Sequence, residues 1–358
     1  MMDLEGSLRP AVFLAEELVS RGSKVTMVSP FMSKKVEKQL CAMGITPINL
    51  HARLFAQKSD FSVLWFETWA REAFLGLNSR YPREESSKVI NFSQVVSVPS
   101  SVWYLQGPPS LALRDMKNEL SPGIRLAYNL LGRVIDHADE RLVKHMYMQS
   151  SMVIANSKFC ASMYSGFGVD SDDVIYPPVD CDVFRPSKSK SSYDYVLTYL
   201  GKETRFSVVK SLADLGVRIK AFGSKTTAIP KSVLRHSGIE FLGRVTTEEL
   251  VCLYADALFT LFPFSHEPFG YVPLESMACG TPVVTYDYQG PSESVVDDYT
   301  GWLAQTDAEL IQRTVHFWKE KYPVEIRQNC RNVALKFDRK AYAKKWLKIL
   351  RVDAKELA

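Results

Sequence analysis

The feature that most constrains this chain is the regular alternation of short apolar runs with amphipathic helical stretches. In the second half the strand-like runs are Tyr195–Leu200, Val217–Phe222, Ile239–Gly243, Ala257–Phe262 and Pro282–Tyr286, and the helical stretches are Ser207–Leu215, Thr247–Ala255 and Tyr271–Ala278. Strands that alternate with helices join in parallel, because each crossover helix returns the chain to the same end of the sheet. The pattern predicts an α/β fold whose ligands bind at the carboxyl ends of the strands.

The first half follows the same alternation. Its helical stretches are Pro10–Arg21, Phe61–Leu77 and Ile124–Met148, and its strand-like runs are Lys24–Ser29, Lys88–Val98, Ser101–Leu105, Ser151–Ala155 and Asp173–Tyr176. A polar run at Pro186–Ser192 has the composition of a linker. Since 358 residues exceed one comfortable core, we predict domains at 1–187 and 193–335. The remaining segment, 336–358, carries a helix at Arg339–Leu350 that can cover either domain and that we expect to pack back on the first.

Charge and cysteine usage exclude several classes of function. The net charge is +4, and Lys and Arg are interspersed with Asp and Glu, so a nucleic-acid partner is not expected. The apolar runs are too short for a membrane span, and the start lacks a secretory pattern. Six cysteines without a CxxC pair, and histidines without ligand spacing, predict a reduced cytoplasmic chain with no metal and no cofactor.

The most informative segment is Phe262–Gly280, FPFSHEPFGYVPLESMACG, which follows a buried run and opens a helix near Tyr271. The free N–H groups at a helix start favour a diphosphate, and Gly270 would let the backbone approach it closely. Glu267 and Glu275 flank this helix start. Carboxylates repel phosphate but accept hydrogen bonds from the hydroxyls of a ribose or a hexose. The pair therefore indicates recognition of sugars, although two exposed glutamates on a helix would give the same short pattern.

The spacing of these glutamates, followed by ACGTPVV and GPSESV, resembles the E-x7-E signature of the GT4-type retaining glycosyltransferases, the glycosyl transferases group 1. The resemblance implies a GT-B fold, in which two Rossmann-like parallel-sheet domains face each other across a cleft. It assigns Glu267 to the donor sugar and Glu275 to the ribose hydroxyls. The backbone N–H groups between them would meet sugar and phosphate; these residues are Phe269, Gly270, Tyr271 and Val272.

Further segments extend the resemblance. The stretch Val153–Pro186 resembles the end of the family's first domain, including YPPVD. In the family, a Gly-Arg pair and a following Lys clamp the donor diphosphate at the first strand end of the second domain. Here Gly201 precedes Lys202, which stands for the Arg, and Arg205 is matched to the Lys. Val245 lies where the family's chain passes the nucleotide base. For the cations, plain surface charge after a strand is the alternative interpretation.

Two positions depart from the family pattern. Relatives commonly place a His before the Gly-Pro of the acceptor-side loop, whereas Gln106 stands there and cannot exchange a proton. It could instead satisfy loop backbone groups. The chain also begins on the loop that follows the family's first strand, so we expect a truncated start and a first sheet that lacks a strand. Gly6 would then lie at the mouth of the first helix, near the donor phosphates or the acceptor.

The predicted function is transfer of a hexose, of glucose or mannose type, from a UDP- or GDP-sugar to a hydroxyl of a glycan or lipid-linked acceptor. The stretch Ile124–Met148 is amphipathic, so it either covers the core or contacts the inner face of a membrane. His266 either donates to a sugar hydroxyl or is solvated. The rival functions are a catalytically silent binding partner of a transferase, a GT-B phosphorylase, and a synthase that acts on a phosphorylated sugar. No GxGxxG opens a helix, so a dinucleotide oxidoreductase is not expected.

Overall fold

The structure, a computed structural model, describes residues 6–52, 61–75, 88–119, 122–187, 192–223 and 229–351. The helices are α1 Arg9–Ser20, α2 Lys34–Ala42, α3 Phe61–Leu75, α4 Pro109–Asp115, α5 Pro122–Met148, α6 Lys158–Ser165, α7 Phe206–Asp214, α8 Lys231–Leu234, α9 Thr247–Asp256, α10 Tyr271–Ala278, α11 Asp307–Glu320, α12 Glu325–Ala334 and α13 Arg339–Leu350. The strands are β1 Thr26–Ser29, β2 Thr46–Asn49, β3 Ile90–Asn91, β4 Val102–Leu105, β5 Val153–Ala155, β6 Asp173–Val174, β7 Val196–Tyr199, β8 Ile219–Phe222, β9 Ile239–Gly243, β10 Thr260–Phe262, β11 Val283–Tyr286 and β12 Gly301–Ala304.

The second half forms a parallel sheet in the order β12-β11-β10-β7-β8-β9. The chain builds outward from β7 to β9 on one side and then returns to β10 on the other. Strand order therefore reverses between β7 and β10. In such sheets the loops that leave the two central strands diverge and open a crevice at their carboxyl ends. The loop after β7 and the loop after β10 both start at this crevice.

The first half is divided between two parallel sheets rather than the one that the alternation predicts. Strand β1 pairs with β2, and β3, β4, β5 and β6 form a second sheet in that order. Helix α1 covers both: Leu14 packs with Tyr104 and Ile154 over the second sheet, and Ala15 packs with Val36 over the first. One helix thus joins the two sheets into one half.

Strand β3 is far shorter than the predicted run Lys88–Val98. The side-chain amide of Asn91 donates to the carbonyl of Val96 at 2.9 Å, and the hydroxyl of Ser93 accepts from the backbone N–H groups of Val95 and Val96 at 3.1 and 3.0 Å. Short polar side chains that satisfy nearby backbone groups compete with strand pairing. They turn the chain after two residues of ladder. The predicted linker Pro186–Ser192 lies largely outside the described residues.

The last helix, α13, packs against the first half. Tyr342, Trp346 and Leu350 belong to the same buried cluster as Tyr104 and Ile154. The hydroxyl of Tyr342 donates to the carbonyl of Pro10 at 2.8 Å. The chain therefore crosses between the two halves twice, once before β7 and once before α13.

Helix α5 has two parts with different surroundings. Its second part packs in the core through Ala138, Leu142, Val143 and Met146. Its first part presents large apolar side chains to solvent: Leu126 is 62% exposed, Leu130 75%, Leu131 54% and Val134 53%. Core packing therefore accounts for only the second part. Among the described helices, none is both long enough and apolar enough to cross a bilayer.

Candidate donor-binding site

The crevice between β7 and β10 brings together residues about 60 positions apart in the chain. The backbone N–H of Arg205 donates to the carbonyl of Pro263 at 2.8 Å, and that of Ser265 donates to the carbonyl of Glu203 at 2.9 Å. The loop after β7 carries Gly201 and Lys202, and the loop after β10 carries Glu267. Topology thus places the predicted phosphate-binding and sugar-binding residues beside each other.

Glu267 lies half-buried in the loop after β10. Burial raises the pKa of its carboxyl group from 4.5 to about 7, and the neighbouring carboxylate of Glu203 adds to the rise. Hydrogen bonds from the backbone N–H groups of Phe269 and Gly270 lower the pKa and partly offset this rise. The N–H of Phe269 donates to Oε1 at 3.3 Å. Near neutral pH the group therefore exists both as a carboxylic acid and as a carboxylate. It can donate to a sugar hydroxyl or accept from it.

The start of α10 has the conformation expected of an anion site. Gly270 precedes the helix with φ of 98°, in the region that favours glycine, and a Cβ there would lie 3.0 Å from the ring of Pro291. Phe269 is buried and stacks on Tyr176 of the first half, with ring centroids 5.9 Å apart. Val272 packs against the core of the second half. The first helical residue, Tyr271, has a buried hydroxyl group that finds no hydrogen-bond partner among the described residues.

Glu275 lies one turn into α10 and is 3% exposed. Its Oε2 accepts a hydrogen bond of 3.2 Å from the hydroxyl of Tyr254, which is itself fully buried. Its Oε1 pairs with the guanidinium of Arg9, at the start of α1 in the first half. The carboxylate predicted to bind ribose is therefore held from both halves of the protein, and Arg9 is a residue that the sequence did not single out.

The two predicted phosphate-binding cations have different surroundings. Lys202 is 51% exposed, and its Nζ lies 3.6 Å from a carboxylate oxygen of Glu203. Arg205 instead pairs with Asp307, donates to the hydroxyl of Tyr288 at 2.6 Å and lies over the ring of Tyr286. A diphosphate that uses Arg205 would have to share it with Asp307. Lys202 is the more accessible of the two cations.

Gly201 completes the turn after β7. Its backbone N–H donates to the hydroxyl of Thr204 at 2.9 Å, and a Cβ there would lie 2.8 Å from the ring of Tyr199. The turn therefore needs glycine for close packing. Val245 follows β9, half-buried against the core of the second half. Gly6 is exposed with φ of 60° in the turn before α1; the residues before it lie outside the described part of the chain.

Gln106 is buried, and its side-chain amide donates to the carbonyl of Phe92 at 2.7 Å. Its own backbone carbonyl accepts from Gln94 at 3.0 Å. This arrangement matches the alternative in which the residue satisfies loop backbone groups. The adjoining Gly107 packs so closely on Pro268 that a Cβ would lie 2.8 Å from its ring. The acceptor-side loop thus contacts the loop that carries Glu267.

Part of the second half is similar to a known protein family. Residues 231–337 match the family model described as glycosyl transferases group 1. The matched range contains both Glu267 and Glu275. This segment of the chain is therefore similar to the glycosyl transferases group 1.

Two curated proteins align over about half of the chain. It is 26% identical over 185 residues to the alpha-1,3/1,6-mannosyltransferase ALG2 of Kluyveromyces lactis, covering 45% of this chain and 37% of the relative. It is 29% identical over 194 residues to the D-inositol 3-phosphate glycosyltransferase of Mycobacterium bovis, covering 48% and 38%. The aligned segment thus spans less than two-fifths of each relative.

A solved structure extends the likeness to nearly the whole chain. Anabaena Alr3699/HepE in complex with UDP superposes with a TM-score of 0.68 at 16% sequence identity, over 98% of this chain and 97% of that one. At this identity the likeness establishes the fold. The chain therefore has the GT-B fold that the resemblance implied.

Two further contacts join the two halves and involve residues whose roles the sequence left open or missed. The Nδ1 of His266 lies 2.9 Å from a carboxylate oxygen of Asp115 at the end of α4, and His266 is 4% exposed. Of its two interpretations, the solvated one is wrong. Glu293 accepts from the backbone of α6 in the first half. Neither Asp115 nor Glu293 carried a local sequence signal, because each contact joins elements more than 130 residues apart.

In the described part of the chain, no group of three or more His, Cys, Asp or Glu side chains gathers at the spacing of a metal site. The positive charge at the crevice comes from Lys202, Arg9 and the start of α10. These groups favour an anionic ligand at the helix start, with carboxylates on either side of it.

Proposed function

We propose that this protein is a retaining glycosyltransferase of the GT4 type that moves a hexose, of glucose or mannose type, from a UDP- or GDP-sugar to an acceptor hydroxyl. One observation carries the proposal: Glu267 and Glu275 flank the free N–H groups at the start of α10, at the strand-order reversal of a GT-B sheet. Carboxylates on both sides of an anion site match a ligand with sugar hydroxyls on both sides of a diphosphate.

The chemistry proposed for this site is stabilisation of the leaving diphosphate. Negative charge grows on the phosphate oxygens as the bond to the anomeric carbon breaks. The N–H groups at the start of α10 and the ammonium group of Lys202 supply fixed positive charge there, which favours the transition state over the ground state. Glu267 orients the donor sugar from the loop after β10. With Gln106 in place of a base, the departing phosphate takes the acceptor proton.

The comparisons support the donor more directly than the acceptor. The structure of Anabaena Alr3699/HepE is a complex with UDP. The two curated relatives are named as an alpha-1,3/1,6-mannosyltransferase and as a D-inositol 3-phosphate glycosyltransferase. We propose a glycan or lipid-linked acceptor held mainly by the first half. The exposed leucines of α5, flanked by Arg125 and Arg133, suit contact with an anionic membrane surface. The protein would then work at the inner face of the membrane.

A thermal-shift panel of the purified protein with UDP, GDP, ADP, NAD and inorganic phosphate tests the donor first. A ligand at about a hundred times its dissociation constant adds roughly 2.7 kcal/mol of stability. Selective stabilisation by UDP or GDP supports the proposal and names the sugar nucleotides for a turnover assay with anomeric analysis of the product. Stabilisation by phosphate alone would favour a phosphorylase. Turnover that survives EDTA would support a reaction without metal.

A second candidate function, a silent nucleotide-binding partner of a transferase, is favoured by the position of Gln106. Its amide is committed to the carbonyl of Phe92 rather than directed at a substrate. The two candidates separate cleanly: a silent partner binds the nucleotide but consumes no sugar nucleotide with any acceptor, whereas a transferase releases free UDP or GDP in proportion to product.

A further inference from the structure

The donor site includes one side chain from the first half. Arg9 opens α1, and its guanidinium pairs with Oε1 of Glu275 in the second half. It also lies over the ring of Tyr271, 5.0 Å from the centroid. Arg9 therefore contacts two of the residues at the start of α10, although 266 positions separate it from Glu275.

The pairing with Arg9 offsets the free-energy cost of burying the carboxylate of Glu275. A carboxyl group that is 3% exposed loses most of its hydration, and its burial is costly unless charged or polar partners replace the water. Tyr254 supplies one hydrogen bond to Oε2. Arg9 supplies the opposite charge and holds Oε1. With both oxygens fixed, the rotamer of Glu275 is also fixed.

The same arrangement leaves Glu275 able to bind a ribose. The two oxygens of a carboxylate offer about four acceptor positions. One contact from Arg9 and one from Tyr254 occupy two of them, so two remain for a pair of neighbouring hydroxyls. Arg9 is 27% exposed in its side chain, which places it at the edge of the cleft rather than beneath the site.

We propose that Arg9 is a positioning residue of the donor site, which acts through Glu275 to make ribose recognition depend on both halves of the protein. The inference rests on the proposed function, since it assumes that Glu275 meets the ribose. Its consequence is that closure of the cleft and binding of the ribose are coupled: Glu275 is set for the hydroxyls only when α1 lies against α10.

The test compares ribonucleotides with their 2′-deoxy analogues. Titration calorimetry of the full chain with UDP and 2′-deoxy-UDP, or with GDP and 2′-deoxy-GDP, gives a ratio of dissociation constants that reports on the ribose contact alone. We expect the wild type to favour the ribonucleotide by about tenfold or more, the scale of one charge-assisted hydrogen bond. Glu275→Gln should bring the ratio close to one. Arg9→Ala should bring the ratio to within about threefold of the value measured for Glu275→Gln.

The control is Arg339→Ala. Arg339 also joins distant elements through ion pairs, but its partners are Glu16 and Asp180 rather than residues of α10. Arg339→Ala should leave the ratio of dissociation constants at the wild-type value. Arg9→Lys keeps the charge without the planar fork and should give an intermediate ratio. This variant also serves as the test if Arg9→Ala fails to fold.

The outcomes separate this inference from the proposed function. A ratio in Arg9→Ala equal to that of the wild type, whether both affinities fall together or neither changes, overturns the positioning role. Tighter binding of both nucleotides also overturns it, because Arg9 would then be a blocking residue. A wild type that binds no nucleotide, or does not distinguish the two sugars, overturns the ribose assignment of Glu275 itself.

Discussion

The carboxylate of Glu293, in the second half, accepts a hydrogen bond of 2.9 Å from the backbone N–H of Lys158, the first residue of α6 in the first half. It also accepts from the N–H of Phe159 at 2.7 Å and from the hydroxyl of Tyr176 at 2.9 Å. A helix start needs such acceptors, and an anionic one is favoured by the helix dipole. One half of the protein thus caps a helix of the other.

Replacing Glu293 with Ala should therefore weaken the joint between the halves. Loss of this charge-assisted capping is expected to lower the free energy of unfolding by about 1.5 to 3 kcal/mol, as measured by urea denaturation. Glu249→Ala is the matched control, because Glu249 belongs to the capping box of α9 within the second half. Its loss should lower stability by only about 1 kcal/mol. A change below about 0.5 kcal/mol for Glu293→Ala would contradict the role of this contact.

Lys202→Ala should lower turnover by roughly ten- to over a hundredfold, since a charge-assisted contact to the leaving diphosphate contributes about 1.5 to 3 kcal/mol. The loss should fall on kcat/KM in a steady-state assay with the donor found by the thermal-shift panel. Lys210→Ala removes a lysine of comparable exposure, 42% against 51% for Lys202, and Lys210 pairs with Asp214 on α7. This variant should leave the rate unchanged. Equal rates for the wild type and Lys202→Ala would remove Lys202 from the phosphate site.

The stability of the protein should fall as the pH rises from 4.5 towards 7. In the folded state the pKa values of Glu267 and Glu72 are both raised to about 7, chiefly by burial. Between 4.5 and 7 the folded state therefore binds more protons than the unfolded chain, so stability is greatest below this window and declines through it. Glu267→Gln, unfolded by urea at pH 5 and pH 7, should show a smaller decline than the wild type. An unchanged decline would mean that Glu267 ionises at its ordinary pH.

Leu130→Glu should reduce binding to anionic vesicles. Leu130 is 75% exposed on the first part of α5, and transfer of a leucine side chain out of water contributes about 2 kcal/mol, or roughly thirtyfold in partition coefficient. Co-sedimentation with phosphatidylglycerol vesicles measures the effect. Leu215→Glu, at an exposed position of the second half, is the control and should bind as the wild type does. Equal sedimentation of both variants with the wild type would exclude α5 as the contact.

Much of the second half could be predicted from its sequence. Helix α10 spans the predicted residues Tyr271–Ala278, and α13 spans the predicted Arg339–Leu350. These elements are set by local features: apolar periodicity, a glycine with positive φ before the helix, and Pro273 in its first turn. Strand ends were less predictable. The run Ala257–Phe262 pairs only from Thr260, because the N–H of Ala257 still bonds to Leu253 at the end of α9.

The surroundings of the candidate site could not be predicted in the same way. No local pattern joins Arg9 to Glu275 or Asp115 to His266, and none predicts that Arg205 pairs with Asp307. Each contact joins side chains brought together only when separate elements pack. Likewise, amphipathic spacing in α5 does not reveal which part of the helix the core covers.

The sequence by itself determined the alternating α/β fold, the glycine-led start of α10 and the spacing of Glu267 and Glu275, because each depends on residues within a few turns of one another. Only the tertiary structure decided how the sheets of the first half divide, which cations remain accessible and which residues hold the two carboxylates. Those outcomes depend on burial and on the pairing of charges across the cleft, and both arise only when the two halves lie together.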